Sequence, residues 1–166
     1  MEVRNWMAYP VRAVKPLDSI QHARELLVTH RVNQLPVIVD DRLVGIVTDR
    51  DLRDAFPSVF DSPGFSGKSR ASTTDPRTVT VEMVMATDVT TVAPADSIAD
   101  AARLMRRQRI GALPVVEKER VVGIVTRSDI LDYFIDLAQI EHMRGASRLS
   151  KEEEPVTARR KRTARS

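Results

Sequence analysis

The run Arg42-Leu43-Val44-Gly45-Ile46-Val47-Thr48-Asp49-Arg50-Asp51 returns 78 positions later as Arg120-Val121-Val122-Gly123-Ile124-Val125-Thr126-Arg127-Ser128-Asp129. Residues 7–52 lie over 85–130 without a gap, and 21 of those 46 positions are identical, among them Pro16/Pro94, Ser19/Ser97, Leu35/Leu113, Pro36/Pro114 and Gly45/Gly123. Agreement of that length marks an internal repeat. The chain is one unit written twice, and any fold assigned to it must be readable in both copies.

Within each copy the pattern reads strand, helix, strand, strand, helix. Val11–Val14 is a short β-rich segment stopped by Lys15-Pro16, because proline cannot donate to a ladder. Asp18 or Ser19 then caps a helix in which Ile20, Ala23, Leu26 and Leu27 recur at helical spacing to about Arg31. Asp96-Ser97, Ile98, Ala101, Leu104 and Met105 repeat it. Leu35–Val39 and Leu43–Thr48 bracket Asp40-Asp41 as a hairpin with an acidic turn, and Glu117-Lys118-Glu119 forms the second such corner. After Thr48, Asp49-Arg50-Asp51-Leu52 opens a helix, since acids suit the exposed amides of a first turn. Gly45 and Gly123, which lack neighbouring glycines, read as tight strand positions rather than a phosphate loop.

Four divisions follow: a first unit over residues 1–56, a linker over 57–78, a second unit with a longer last helix over 79–144, and a charged tail over 145–166. Pro57, Pro63, Pro76, Gly64, Gly67 and five serines mark the linker, while Phe60 and Phe65 suggest that it packs in part. Val3–Met7 and Thr80–Met85 are short helical lead-ins. Ile130, Leu131, Phe134, Leu137, Ala138 and Ile140 keep a helical period to Met143. From Gly145 that period vanishes, and disorder is the expectation.

With 42% apolar residues and few aromatics, aliphatic side chains must fill the core. The absence of cysteine removes disulfides and thiolate chemistry, and favours an intracellular setting. No apolar run approaches the ~18 residues of a membrane span and no signal peptide is seen, so a cytoplasmic protein is expected. The net charge of +3 is uneven: Arg159, Arg160, Lys161, Arg162 and Arg165 sit in the last eleven residues, and without them 21 basic residues face 23 acidic ones. That basic end has the charge to touch nucleic acid or anionic lipid, but no DNA-binding motif accompanies it. His22, His30 and His142 have no carboxylate or thiol at ligand spacing, so no metal site is assigned. Met83, Met85, Met105 and Met143 read as core filling.

The Val–Pro–Ser entry, the Leu-Pro-Val run before a strand and the Gly-Ile-Val-Thr-x-x-Asp run before a helix occur in this order in both copies. Over residues 1–140 the chain resembles a tandem pair of cystathionine-β-synthase (CBS) domains, a Bateman module, and most resembles acetoin-utilisation-type proteins. The resemblance implies an α/β (α+β) fold of two βαββα units packed through their sheets about a pseudo-twofold axis, and a homodimer. It also implies regulation without catalysis by an adenosine-containing ligand such as AMP, ADP, ATP or S-adenosylmethionine, with no obligatory cofactor.

The motif suits that chemistry. A carboxylate at a helix start accepts hydrogen bonds from a ribose diol, while the threonine hydroxyl and first-turn amides serve a phosphate or sugar oxygen. The plainer reading is a helix cap with an acid in its first turn. The resemblance implies ribose ligands at Asp51 and Asp129 with Thr48 and Thr126 beside them. By position, Thr87, Val89, Ile110, Gly111 and Ala112 complete the first cleft; Tyr9, Val11, Val32, Asn33 and Gln34 complete the second. The clefts then differ, Gly111-Ala112 lining one and the bulkier Asn33-Gln34 the other. Arg31, Arg50, Arg53 and Arg109 lie near them and suit phosphorylated ligands. Two other classes of function stay open: a structural dimerisation or adaptor module with empty clefts, and a nucleic-acid-associated regulator acting through the tail.

Overall fold

Ser19 and Ser97 each stand in extended backbone and accept an amide of the turn that follows, from His22 at 3.1 Å and from Ala99 at 3.2 Å. These bonds satisfy donors that a helix start leaves orphaned. They open α1 (Ile20–His30) and α3 (Ile98–Gln108) in a computed structural model that describes residues 1–55 and 77–152, with side chains to residue 143. Most of the linker, with Phe60 and Phe65, and the basic end lie outside the described residues. Asp18 and Asp96 do not cap; each carboxylate accepts an amide at 2.7 Å, from Lys15 and from Ala93, and closes the turn before the helix. Ile20, Ala23 and Leu27 are buried along α1, as Ile98, Ala101 and Met105 are along α3. Both helices end on an arginine in left-handed backbone, Arg31 at φ 53° and Arg109 at φ 59°, where glycine is usual.

Each helix leads into an antiparallel hairpin, β1 (Gln34–Val39) with β2 (Arg42–Thr48), and β3 (Ala112–Glu117) with β4 (Arg120–Thr126). Both turns hold two residues at positive φ, Asp40-Asp41 at 50° and 65°, and Lys118-Glu119 at 51° and 66°. That is the mirror-image turn whose twist matches the strands. Val37 pairs with Gly45 but Ile38 with Leu43, so Val44 bulges; Val122 does the same in the second hairpin. Pro36 is accommodated because it faces Ile46 where neither strand bonds the other. Its carbonyl accepts from Val14, and the Ile46 amide and carbonyl both bond Ala86. The expected first strand contracts to one residue per copy: Val14 bridges Val37 and Val92 bridges Val115, both in parallel. A proline two residues on, Pro16 in one copy and Pro94 in the other, stops the ladder from running further.

The lead-ins cross over. Residues Val81–Met83 form a single helical turn on the first copy, where the amides of Val81 and Glu82 bond the carbonyls of Asp18 and Pro16 at 2.8 and 2.9 Å. Val81 is fully buried among Val14, Ile20, Leu27, Leu35, Val37 and Val47 of that copy. Reciprocally, residues Val3–Asn5 turn on the second copy, with Val3 and Arg4 bonding Asp96 and Pro94 at 2.8 and 2.9 Å. The chain then adds Ala8 to β4 through Ile124, and Ala86 to β2 through Ile46. Gly45 and Gly123 are where the partner copy's methionine crosses the strand. A Cβ on Gly45 would meet the Met85 sulfur at 2.6 Å, and one on Gly123 would meet Met7 as tightly. The body, residues 1–130, is thus a mixed α/β fold of two matching units that trade their first segments.

The last strand of each unit runs into a helix, α2 (Asp49–Ala55) and α4 (Arg127–Glu152). As the apolar period suggested, α4 is the longer. It also passes through Gly145, the expected end, into residues such as Leu149 and Lys151 with good helix propensity. From Leu131 it belongs to a second unit. Among the described residues, no helix is long and apolar enough to cross a membrane.

Candidate nucleotide site

Thr48 ends β2 and Asp51 stands in the first turn of α2, so the strand-to-helix corner fixes both. Asp51 Oδ2 accepts the Thr48 amide at 2.8 Å and the Thr48 hydroxyl at 2.7 Å, and the Asp51 amide donates back to Thr48 Oγ1 at 3.2 Å. Thr126 and Asp129 repeat the arrangement at 2.6, 2.7 and 3.4 Å. The cap is therefore real in both copies. It consumes the hydroxyl proton of each threonine and both lone-pair directions of Oδ2, but Oδ1 of each aspartate has no partner among the described residues. A half-buried carboxylate oxygen held in one rotamer is an acceptor ready for a hydroxyl. The threonine oxygen, having spent its proton, is no longer a donor to phosphate. The amides of Asp49 and Arg127 are also taken, by the carbonyls of Asn33 and Gly111 at 2.9 and 3.1 Å.

One cavity of about 600 Å³ takes in Thr48, Thr126 and Asp129 together with Val32, Asn33, Gln34 and Gly111. That volume lies within the range of small-molecule sites. The sequence placed these residues in two clefts; the structure runs them into one space. Gln34 reaches across to Gly111, and a Cβ there would touch its amide at 3.4 Å. Thr87 and Val89 do not line this cavity. They line a separate hollow of about 360 Å³ with Arg42, Val44 and Glu119. Asp51, Ile110 and Ala112 line neither space, Ala112 being buried in β3 and Ile110 giving its carbonyl to Arg127 Nε at 3.1 Å. On the other side, Tyr9 is 77% exposed and Val11 is no liner; their neighbours Ala8, Pro10 and Arg12 form the wall instead. The register slips by one because Ala8 is the residue anchored to Ile124.

Arg31, Arg50 and Arg53 line this cavity as the sequence suggested, whereas Arg109 borders another depression on α3. Arg12 and Arg127 complete the set and were missed. Their signal was present as a departure from the repeat: Arg12 replaces Thr90, and Arg127 replaces Asp49. Among the described residues, no three His, Cys, Asp or Glu side chains gather as metal ligands.

Comparison with known proteins agrees with this architecture. The family model described as the CBS domain matches twice, over residues 3–58 and 81–136. A CBS domain-containing protein of Dictyostelium discoideum is 36% identical over 82% of this chain and 93% of its own length. Among solved structures, an acetoin utilization protein from Vibrio cholerae superposes with a TM-score of 0.70 at 28% identity, covering 93% of this chain and 98% of the other. A CBS domain pair in complex with 5′-methylthioadenosine and S-adenosyl-L-methionine gives 0.66 at 28% identity, over 81% and 95%. An inosine-5′-monophosphate dehydrogenase of Korarchaeum cryptofilum is 36% identical over 72% of this chain but only 21% of its own length. With both repeats matched by one family model and the shared topology in view, this chain belongs to the CBS-domain proteins and carries two such domains in tandem.

Proposed function

We propose that this chain is a non-catalytic regulatory module that holds an adenosine-containing ligand in the cavity between its repeats. The observation that carries the reading is the shared wall: Thr126 and Asp129 of one copy face Val32, Asn33 and Gln34 of the other across one space of small-molecule size. Asp129 Oδ1 accepts from the ribose hydroxyls, and the backbone around Val32–Gln34 reads the base. A related domain pair held with methylthioadenosine and S-adenosylmethionine supports the ligand class. No reaction is assigned. The output is conformational: a ligand contacting both copies favours the arrangement it binds best, by its difference in affinity between arrangements.

Thermal unfolding with AMP, ADP, ATP and S-adenosylmethionine tests this. Ligand at a hundred times its Kd adds about 2.7 kcal/mol to the folded state. A rise in Tm that grows with concentration and disappears in Asp129→Ala is expected; no rise with any of them contradicts the reading.

A dimerisation role has its own support. Leu131, Phe134 and Ile135 on α4 are each more than half exposed. Large apolar side chains grouped in this way mark association surfaces. We place a homodimer contact there, and light scattering of Leu131→Glu/Ile135→Glu is expected to report the mass of one chain where the parent protein reports two.

A further inference from the structure

The cavity wall is not neutral. Five arginines line it, Arg12, Arg31, Arg50, Arg53 and Arg127, against two aspartates. Three of the five are already engaged: Arg53 pairs with Asp49 at 2.5 Å, Arg50 with Asp54 at 3.5 Å, and Arg127 Nε donates to Ile110. Arg12 and Arg31 have no ion pair among the described residues. The distribution also breaks the internal symmetry. At the positions equivalent to Arg12 and Arg50 the second copy has Thr90 and Ser128, and Arg109, the equivalent of Arg31, does not line this space. Four of the five arginines that line this cavity thus come from the first copy.

We infer that Arg12 and Arg31 make this site select phosphate-bearing adenosine ligands and discriminate against S-adenosylmethionine. The inference rests on the function proposed above and names the charge class of its ligand. Guanidinium groups present paired donors that match phosphate oxygens. S-Adenosylmethionine instead carries a sulfonium and an ammonium against one carboxylate, and its net positive charge is repelled by the same wall. Adenine and ribose are common to both ligands, so the arginines, not Asp129, decide between them.

The test is isothermal titration at low salt, without divalent cations, using ATP, AMP, adenosine and S-adenosylmethionine. Affinity is expected to fall in the order ATP, AMP, adenosine, with S-adenosylmethionine no tighter than adenosine. Raising the salt weakens ATP binding and leaves adenosine nearly unchanged. In Arg12→Gln/Arg31→Gln, ATP affinity is expected to drop at least tenfold, and at least fivefold more than that of adenosine. S-Adenosylmethionine binding as tightly as ATP, or equal losses for all four ligands in the variant, overturns the inference and leaves the adenosine site standing. Binding of none of the four overturns both.

Discussion

Gly45 and Gly123 owe their identity to the exchange of lead-ins rather than to their own backbone. In Gly45→Ala the new methyl group meets the Met85 sulfur at 2.6 Å and the Ala86 carbonyl oxygen at 3.0 Å, so both a side chain and a paired backbone must shift. At Gly123 the nearest atoms all belong to the Met7 side chain. Each alanine variant is expected to lose about 1–3 kcal/mol in urea unfolding, as overpacked sites do. The double variant Gly123→Ala/Met7→Ala is expected to recover more of its loss than Gly45→Ala/Met85→Ala, because a flexible side chain yields where a carbonyl does not. The sequence marked both glycines as tight positions, yet the methionines responsible lie 40 and 116 residues away along the chain. No local pattern carries contacts of that range. The same distance hid Arg12 from the site, for its place on the wall is set by the pairing of Ala8 with Ile124.

At the scale of elements, helix starts and hairpins were legible because their causes are local. Ser19 and Ser97 cap as their residue type dictates, and acidic or charged pairs occupy both turns. Less legible were the positions where local preference is violated. Arg31 and Arg109 adopt left-handed backbone, and Lys118-Glu119 fills a turn that asparagine and glycine fit best. Replacing Lys118-Glu119 with Asn-Gly is expected to raise stability by about 1 kcal/mol, read as a higher Tm at unchanged cooperativity. The Arg42–Glu119 ion pair lost in the exchange is 3.0 Å long but largely exposed on both sides, so its removal offsets little of the gain. The same change at Asp40-Asp41 is expected to gain less, since aspartate tolerates positive φ better.

For the whole molecule the exchange has a larger consequence: neither copy has a complete core without the other's first segment. Val3 and Val81 are fully buried, and each supplies backbone bonds to the opposite copy. Burying a valine contributes about 1.5–3 kcal/mol. Removal of residues 1–8 is therefore expected to destabilise the second copy by more than that amount, and urea unfolding of the full chain is expected to show one transition. The cavity depends on the same arrangement, because Ala8, Pro10 and Arg12 wall it just beyond the exchanged segment. In the proposed mode of binding, Asp129, fixed by Thr126, accepts the hydroxyls of a bound nucleoside. A crystal structure of the protein grown with AMP checks this: the sugar is expected on Asp129 Oδ1 and the phosphate toward Arg12 and Arg31. Nucleotide bound elsewhere, or an empty cavity at saturating AMP, would contradict it.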